Sequence, residues 1–351
     1  MSNHNAVLPS TDLPTPPFAS ARADSTNGTQ LSTLSRRSLL GTASVALGAL
    51  SLAKPGKLLA QQVPTDAELD AKYFAGFEIK KLTANNATIH TVVGGNGPPV
   101  LLLHGAPLSH LSWAEVAVNL AKDFTVVCPD LRGYGWSSKP DGGENHINYS
   151  KRTMAQDQVE VMQQLGFSNF ALVGHDRGGR VARRLTLDNP DKVKNLTVLD
   201  IVPAHYLYSH VTRQFVDAYF HWFLFLRPAP FPENIMASTG QYISGGPGEI
   251  GEAFSRVYKD PAAIHAMCED YRASAGMDIG IDEADIAAGK KIECPLNVLW
   301  GDNAAMGRQY DVMGIWKMEA TNVEGKAMPG GHNFLMENPG PTYTELKRFL
   351  S

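Results

Sequence analysis

Past residue 60, short apolar runs recur along the chain with stretches of helical periodicity between them. FEIKKLT (77–83) and ATIHTVV (87–93) read as an opening antiparallel pair. PVLLLH (99–104), FTVVCPD (124–130), FALVGH (170–175) and NLTVLD (195–200) are almost wholly apolar, which predicts parallel strands buried on both faces. LNVLW (296–300) resumes the series, and a weaker strand is expected around 325–328, ahead of GGHNF. WAEVAVNLAKD, RTMAQDQVEVMQQLG and a terminal YTELKRFL carry the helical pattern. Strands and helices in alternation predict an α/β fold, a mostly parallel sheet flanked by helices.

Between residues 201 and 291 the pattern changes. Aromatic residues cluster in HYLYSH and YFHWFLFLRPAPFPENIM, and helical segments continue through FSRVYKDPAAIHAMCEDYRASAG. An insertion after a sheet strand, lined with aromatics, reads as a helical cap over the carboxyl ends of the strands, where open α/β sheets bind ligands. The expected organisation is a lead over 1–60, a first core part over 61–200, the cap over 201–291 and a second core part over 292–351.

Composition narrows the function classes. The 351 residues hold 31 Lys and Arg against 35 Asp and Glu, a formal net charge of -4, so no basic surface for nucleic acid is expected. There is no HExxH or paired CxxC, and neither a metal nor a cofactor is expected. Three cysteines make no disulfide framework, and Cys128 and Cys294 in strand-like runs read as buried thiols. The lead differs from the rest. Residues 1–34 are rich in Ser, Thr, Pro and Asn; Arg36 and Arg37 then precede the uncharged segment 38–53 and Lys54. That segment is short for a membrane span, and the paired arginines resemble a bacterial twin-arginine signal. The expectation is delivery by the twin-arginine export machinery to a periplasmic or secreted location, with the mature chain starting between residues 54 and 62.

Residues 174–179, GHDRGG, have the shape of a G-x-S-x-G elbow with Asp176 where serine would stand. Glycines on both sides relieve the crowding of a strand that turns sharply into a helix, and the middle side chain then points into a pocket. The new helix offers free N–H groups, notably that of Arg177, to an anion. HGAP (104–107) follows another strand and can bring a second donor, the Ala106 N–H, so that an oxyanion hole is expected from Ala106 and Arg177. A carboxylate nucleophile can attack a saturated carbon and leave an ester that water then hydrolyses. Serine would leave an inert ether.

With these motifs in place, the chain from about residue 76 onward resembles the α/β-hydrolase superfamily, and within it the haloacetate (fluoroacetate) dehalogenases. HGAP, DLRGYGWSSKP, GHDRGGRVARRLTLDNPDKV, VLDIVPA, HWFLFLRPAPFPENIM, MCEDYRASAG and GGHNFLMENP carry the likeness through core and cap. The resemblance implies an α/β-hydrolase fold with an inserted cap. It also implies hydrolysis of a short 2-haloacid by water through an aspartyl ester, and it makes a homodimer an expectation. His332 matches the family's base. Asp200, after NLTVLD, and Asp302, after LNVLWG, both suit the acid partner; the family uses the earlier aspartate, which favours Asp200. Arg177 and Arg180 match residues that hold the substrate carboxylate, in keeping with the fit of guanidinium to carboxylate. His221, Trp222 and Tyr271 match halide-binding positions and offer N–H and O–H donors. Arg183 and Arg184 are expected to meet solvent or acidic neighbours.

Two departures bear on substrate choice. Ala106 stands where fluoroacetate-active relatives commonly carry phenylalanine, and DAYFHW lacks a basic residue that some relatives place before the cap histidine. The main rival is an epoxide hydrolase, which would use the same Asp176 and His332 but has no need of two arginines for a neutral substrate. A serine esterase is disfavoured by the elbow itself, and a binding protein would leave Asp176, Asp200 and His332 without a purpose.

Overall fold

The computed structural model describes residues 64–239 and 247–351. The lead, with Arg36, Arg37 and the expected cleavage region, lies outside them.

Eight strands form one sheet in the order β1-β2-β4-β3-β5-β6-β7-β8. They are β1 (Glu78–Ala84), β2 (Ala87–Gly94), β3 (Pro99–Leu103), β4 (Thr125–Pro129), β5 (Phe170–His175), β6 (Val193–Leu199), β7 (Leu296–Gly301) and β8 (Val323–Met328). β2 pairs antiparallel with β1 and β4, and every pairing from β4 to β8 is parallel. Successive side chains of a strand point to opposite faces, and the inner strands use both. Leu101, Leu103, Leu172, Leu196 and Val198 enter one apolar core, whereas Val100, Leu102, Val173 and Leu199 enter the other.

The flanking helices close these cores. α1 (Asp66–Tyr73) precedes the sheet and starts on a capping box between Thr65 and Glu68. α2 (Ala114–Leu120) packs with the C-terminal helix (Pro339–Leu350), and α3 (Lys151–Gln164) packs with α4 (Asp176–Asp188). Between β6 and β7, among the described residues, lie seven helices and one isolated bridge at Ile292: α5 (Ala204–Ser209), α6 (Arg213–Ala218), α7 (Phe220–Leu224), α8 (Phe231–Thr239), α9 (Gly248–Val257), α10 (Pro261–Ala275) and α11 (Met277–Ala287). The protein therefore has an α/β-hydrolase fold with an inserted helical cap. Cys128 is buried as expected, but Cys294 is only half-buried, because it precedes β7 rather than lying within it. Arg183 and Arg184 meet acidic neighbours: Asp282 and Glu319 for the first, Asp285 for the second.

Candidate active site

Strand register brings the site together. Leu103 of β3 pairs with Gly174 of β5, and His175 pairs with Leu199 of β6, so HGAP, the elbow and Asp200 emerge side by side. The turn after β8 brings His332 to the same edge.

The elbow is tight. A Cβ at Gly178 would come within 2.4 Å of the His104 carbonyl oxygen, and one at Gly174 within 2.6 Å of the Gly178 oxygen. Asp176 itself has φ of 47° and Asp200 has φ of 51°. Such left-handed conformations cost about 1–3 kcal/mol each and persist only where the surroundings impose them. Asp176 opens α4 and is largely buried. Its Oδ1 accepts from the Ala106 N–H at 3.0 Å, leaving Oδ2 3.7 Å from His332 Nε2 and 3.4 Å from Arg180 Nη1. Burial would raise this carboxyl, but the charges of His332 and Arg180 more than offset it and hold Asp176 well below the usual carboxylate range.

His332 Nδ1 lies 2.5 Å from Asp200 Oδ2, and the other Asp200 oxygen accepts from the Gly301 N–H at 3.0 Å. That geometry puts the proton on Nδ1 and leaves Nε2 facing Asp176. Burial pulls His332 down, yet its hydrogen bond to Asp200 and the Asp176 charge raise it above the ordinary imidazole value. Asp302 instead accepts from the Gly330 N–H and the Asn303 amide, while the carboxylates paired with His332 are Asp200 and Asp176. His175 donates from Nε2 to the His332 carbonyl oxygen at 2.8 Å; burial first, and then the His332 charge, push it down to about 4, so its ring is neutral.

The cap closes a cavity of about 530 Å³ over Asp176 and His332, and His221, Trp222 and Tyr271 line it. The three rings form a T-shaped cluster, with Tyr271 5.8 Å from His221 and 5.7 Å from Trp222. His221 is lowered to about 4, chiefly by burial, so it offers one N–H as a neutral imidazole. The structure also brings Tyr219 into the lining, a residue the sequence did not single out.

Arg177 and Arg180 are both buried behind this cluster, and neither belongs to the cavity lining. The Arg180 guanidinium stacks 4.8 Å from the Trp222 ring, and that of Arg177 lies 4.2 Å from the Tyr271 ring. Arg177 is anchored by Asp270 on α10: its Nε and Nη2 reach the carboxylate at 3.0 and 2.5 Å, and Nη2 also reaches the Ser274 hydroxyl at 2.7 Å. Asp270 further receives the Tyr134 hydroxyl and the Lys151 ammonium. Sequence reasoning missed this hub, although Asp270 adjoins Tyr271 in CEDYRA. Arg177 Nη1 and Arg180 Nε remain buried without a hydrogen-bond partner. Unmet donors of this type are costly unless something accepts from them. For Arg180 the strain is visible in its charge: burial pulls it below the ordinary guanidinium value, and the Arg177 charge adds to that against the opposing pull of Asp176.

The α/β-hydrolase fold family matches residues 98–339. A fluoroacetate dehalogenase from Burkholderia sp is 43% identical over 291 residues, 79% of this chain and 95% of the relative. A soluble epoxide hydrolase from Corynebacterium sp. (strain C12) is 31% identical, over 72% of this chain and 90% of its own. The crystal structure of ALR0039 from Nostoc sp PCC 7120 superposes with a TM-score of 0.76 at 44% identity, covering 79% of this chain and 99% of that one. Elbow, sheet, cap and likeness agree: the chain belongs to the α/β-hydrolase family and is a hydrolase.

Proposed function

We propose that this hydrolase is a haloacetate dehalogenase that converts a short 2-haloacid and water into a 2-hydroxy acid and halide. The observation that carries the reading is a carboxylate nucleophile beside two buried guanidinium groups whose Arg177 Nη1 and Arg180 Nε donors have no partner. A substrate carboxylate that reaches past the Trp222 and Tyr271 rings to these guanidiniums supplies the acceptor they lack and brings an anion to an otherwise repelling aspartate. The name and 43% identity of the Burkholderia fluoroacetate dehalogenase support the same reading.

Each atom then has a task. Asp176 Oδ1 sits against the Ala106 N–H, so Oδ2 attacks the halogen-bearing carbon while the carbon–halogen electron pair leaves as halide. His221, Trp222 and Tyr271, in the cavity lining, offer imidazole N–H, indole N–H and phenolic O–H donors to the leaving halide. His332 Nε2 next takes a proton from water, whose oxygen attacks the Asp176 carboxyl carbon. The Ala106 and Arg177 amides hold the developing oxyanion, Asp200 holds the imidazolium, and collapse returns the proton to the departing hydroxy acid.

Replacing Arg180 with glutamine is expected to lower kcat/KM for chloroacetate about 100-fold, or ~2.7 kcal/mol, because a buried charge partner is lost. Neutral chloroacetamide should react equally poorly with both proteins. Equal losses on the acid and the amide would remove the arginine from substrate binding.

An epoxide hydrolase reading has support of its own in the Corynebacterium relative and in two phenols, Tyr219 and Tyr271, that line the cavity and could protonate an epoxide oxygen. Incubation with chloroacetate, fluoroacetate and a small epoxide separates the two. Halide from a haloacid without diol is the expected result, and diol without halide would overturn the proposal. With Ala106 at the cavity wall, chloride is expected to leave faster than fluoride.

A further inference from the structure

Outside the cavity lining, three buried side chains from separate elements converge. Asp70 stands on α1, His90 on β2, and His110 four residues after Ala106; they are 2%, 4% and 0% exposed. One ligand atom from each lies within 4.8 Å of the others. Asp70 presents both oxygens, Oδ1 at 2.8 Å from His110 Nε2 and Oδ2 at 3.2 Å from His90 Nε2.

The surroundings are those of a ligand set. His110 Nδ1 is 2.9 Å from Asp130 Oδ1, which also accepts the His110 N–H at 2.7 Å, while Asp130 Oδ2 accepts the Trp136 N–H at 2.8 Å. Asp130 thereby faces three N–H donors. It fixes His110 with its second nitrogen aimed at Asp70, the carboxylate–histidine support common behind metal-bound imidazoles. Trp136 packs edge-on against both histidines, 4.9 Å from His90 and 4.8 Å from His110. Neither ring nitrogen of His90 makes a well-aligned hydrogen bond despite its burial, although Nε2 lies 3.2 Å from Asp70 Oδ2. A network of ion pairs centred on His110 explains Asp70 and Asp130 but leaves His90 with a single contact, Asp70 Oδ2 at 3.2 Å, and with its Nδ1 buried and unpartnered. A cation between His90, His110 and Asp70 employs all three.

We propose that Asp70, His90 and His110 form a structural site for a divalent transition metal, with Zn²⁺ the best match to two imidazoles and a carboxylate. Ligands at about 2.0–2.1 Å in tetrahedral array stand about 3.3 Å apart; the two Asp70 contacts, 2.8 and 3.2 Å, lie within about half an ångström of that, and the two imidazoles close in from within 4.8 Å of one another. Asp70 Oδ1 faces His110 and Oδ2 faces His90; bound through one of these oxygens, the ion has three protein donors and a fourth position for water. Asp70 and His90 precede residue 98, where the family match begins, so two of the three ligands lie outside the matched residues. The ion would clamp α1 and β2 to the segment that carries the oxyanion donor Ala106, without touching the reacting atoms.

The test uses the full purified protein equilibrated with Zn²⁺ and then dialysed. Elemental analysis is expected to give about one zinc per chain, and Co²⁺ in its place should produce a visible d–d band of four-coordinate intensity. A chelator should lower Tm by about 5 °C or more, and added Zn²⁺ should restore it. His90→Phe keeps the Asp70–His110 pair and should hold under about 0.1 zinc per chain, with Tm indifferent to chelator; Asp70→Asn should behave likewise. Both variants should still turn over chloroacetate. Wild-type protein below about 0.1 zinc per chain, or His90→Phe with the same zinc content as wild type, overturns the proposal and leaves a proton-held cluster or an adventitious surface site.

Discussion

With His332 replaced by alanine, the protein is expected to release one halide per chain from chloroacetate and then stall. Displacement of halide needs only the Asp176 carboxylate, which keeps its Ala106 and Arg180 contacts in the variant. Hydrolysis of the ester needs a base, and the Nε2 that would supply it lies 3.7 Å from Asp176. General-base catalysis is worth about 10²–10⁴-fold, so turnover should fall by that factor while the burst survives. Intact-mass analysis should find a carboxymethyl group on Asp176. In the wild-type protein the same division has a pH signature. Only neutral His332 can take a proton from water, so single-turnover ester hydrolysis should fade as pH drops through the imidazole's pKa. Esterification removes the Asp176 charge, one of the causes that raise His332, so this limb should lie below the pH at which free His332 titrates. A burst of halide without an adduct would rule out the ester, and a variant with no burst would place His332 in the first step.

Asp176→Asn is expected to abolish the burst as well. Asparagine tolerates the left-handed φ of 47° and fills the same space, so folding and the Ala106 contact should persist. The amide is no nucleophile at neutral pH, and halide release should fall by at least about 10⁴-fold, a loss comparable to removal of a nucleophile elsewhere. A mass check that the amide persists guards against its conversion to aspartate during the assay. Halide release at the wild-type rate from the verified Asp176→Asn variant would mean that water attacks the substrate directly.

The elbow was legible because its demands are local. Gly174, Asp176 and Gly178 sit within five residues, and the 2.4 Å approach of a Gly178 Cβ to the His104 carbonyl is a restriction that spacing alone announces. The strands were legible for a similar reason, since burial on both faces writes continuous apolar runs. Asp200 and Asp302 could not be separated that way, because each follows a strand and a turn signal. Adjacency of β6 to β5, a property of the folded sheet, is what sets Asp200 beside His332. Partners far apart in sequence left no signal at all. Asp270 reaches Arg177 across 93 positions, and His90 meets Asp70 and His110 from twenty residues away on either side with no motif to mark it. A charged side chain in an amphipathic helix looks the same whether it faces solvent or a buried guanidinium.

Helix α4 carries more than the nucleophile. Its Arg177, Arg183 and Arg184 each reach a carboxylate of the cap, Asp270 on α10 and Asp282 and Asp285 on α11. Removing one member of a buried pair costs about 3–5 kcal/mol, because the survivor is left charged and unpaired. Cap and nucleophile helix are therefore a single unit of inheritance. A recombination that brings in a new cap to change substrate range has to bring the α4 arginines with it, or the chimera begins with Arg177 stripped of its carboxylate and with Arg183 and Arg184 left only to Glu319 and Asp188. Diversity in substrate choice is least disruptive where the cap faces the cavity and takes no part in these ion pairs, at positions such as Tyr219 and Phe225.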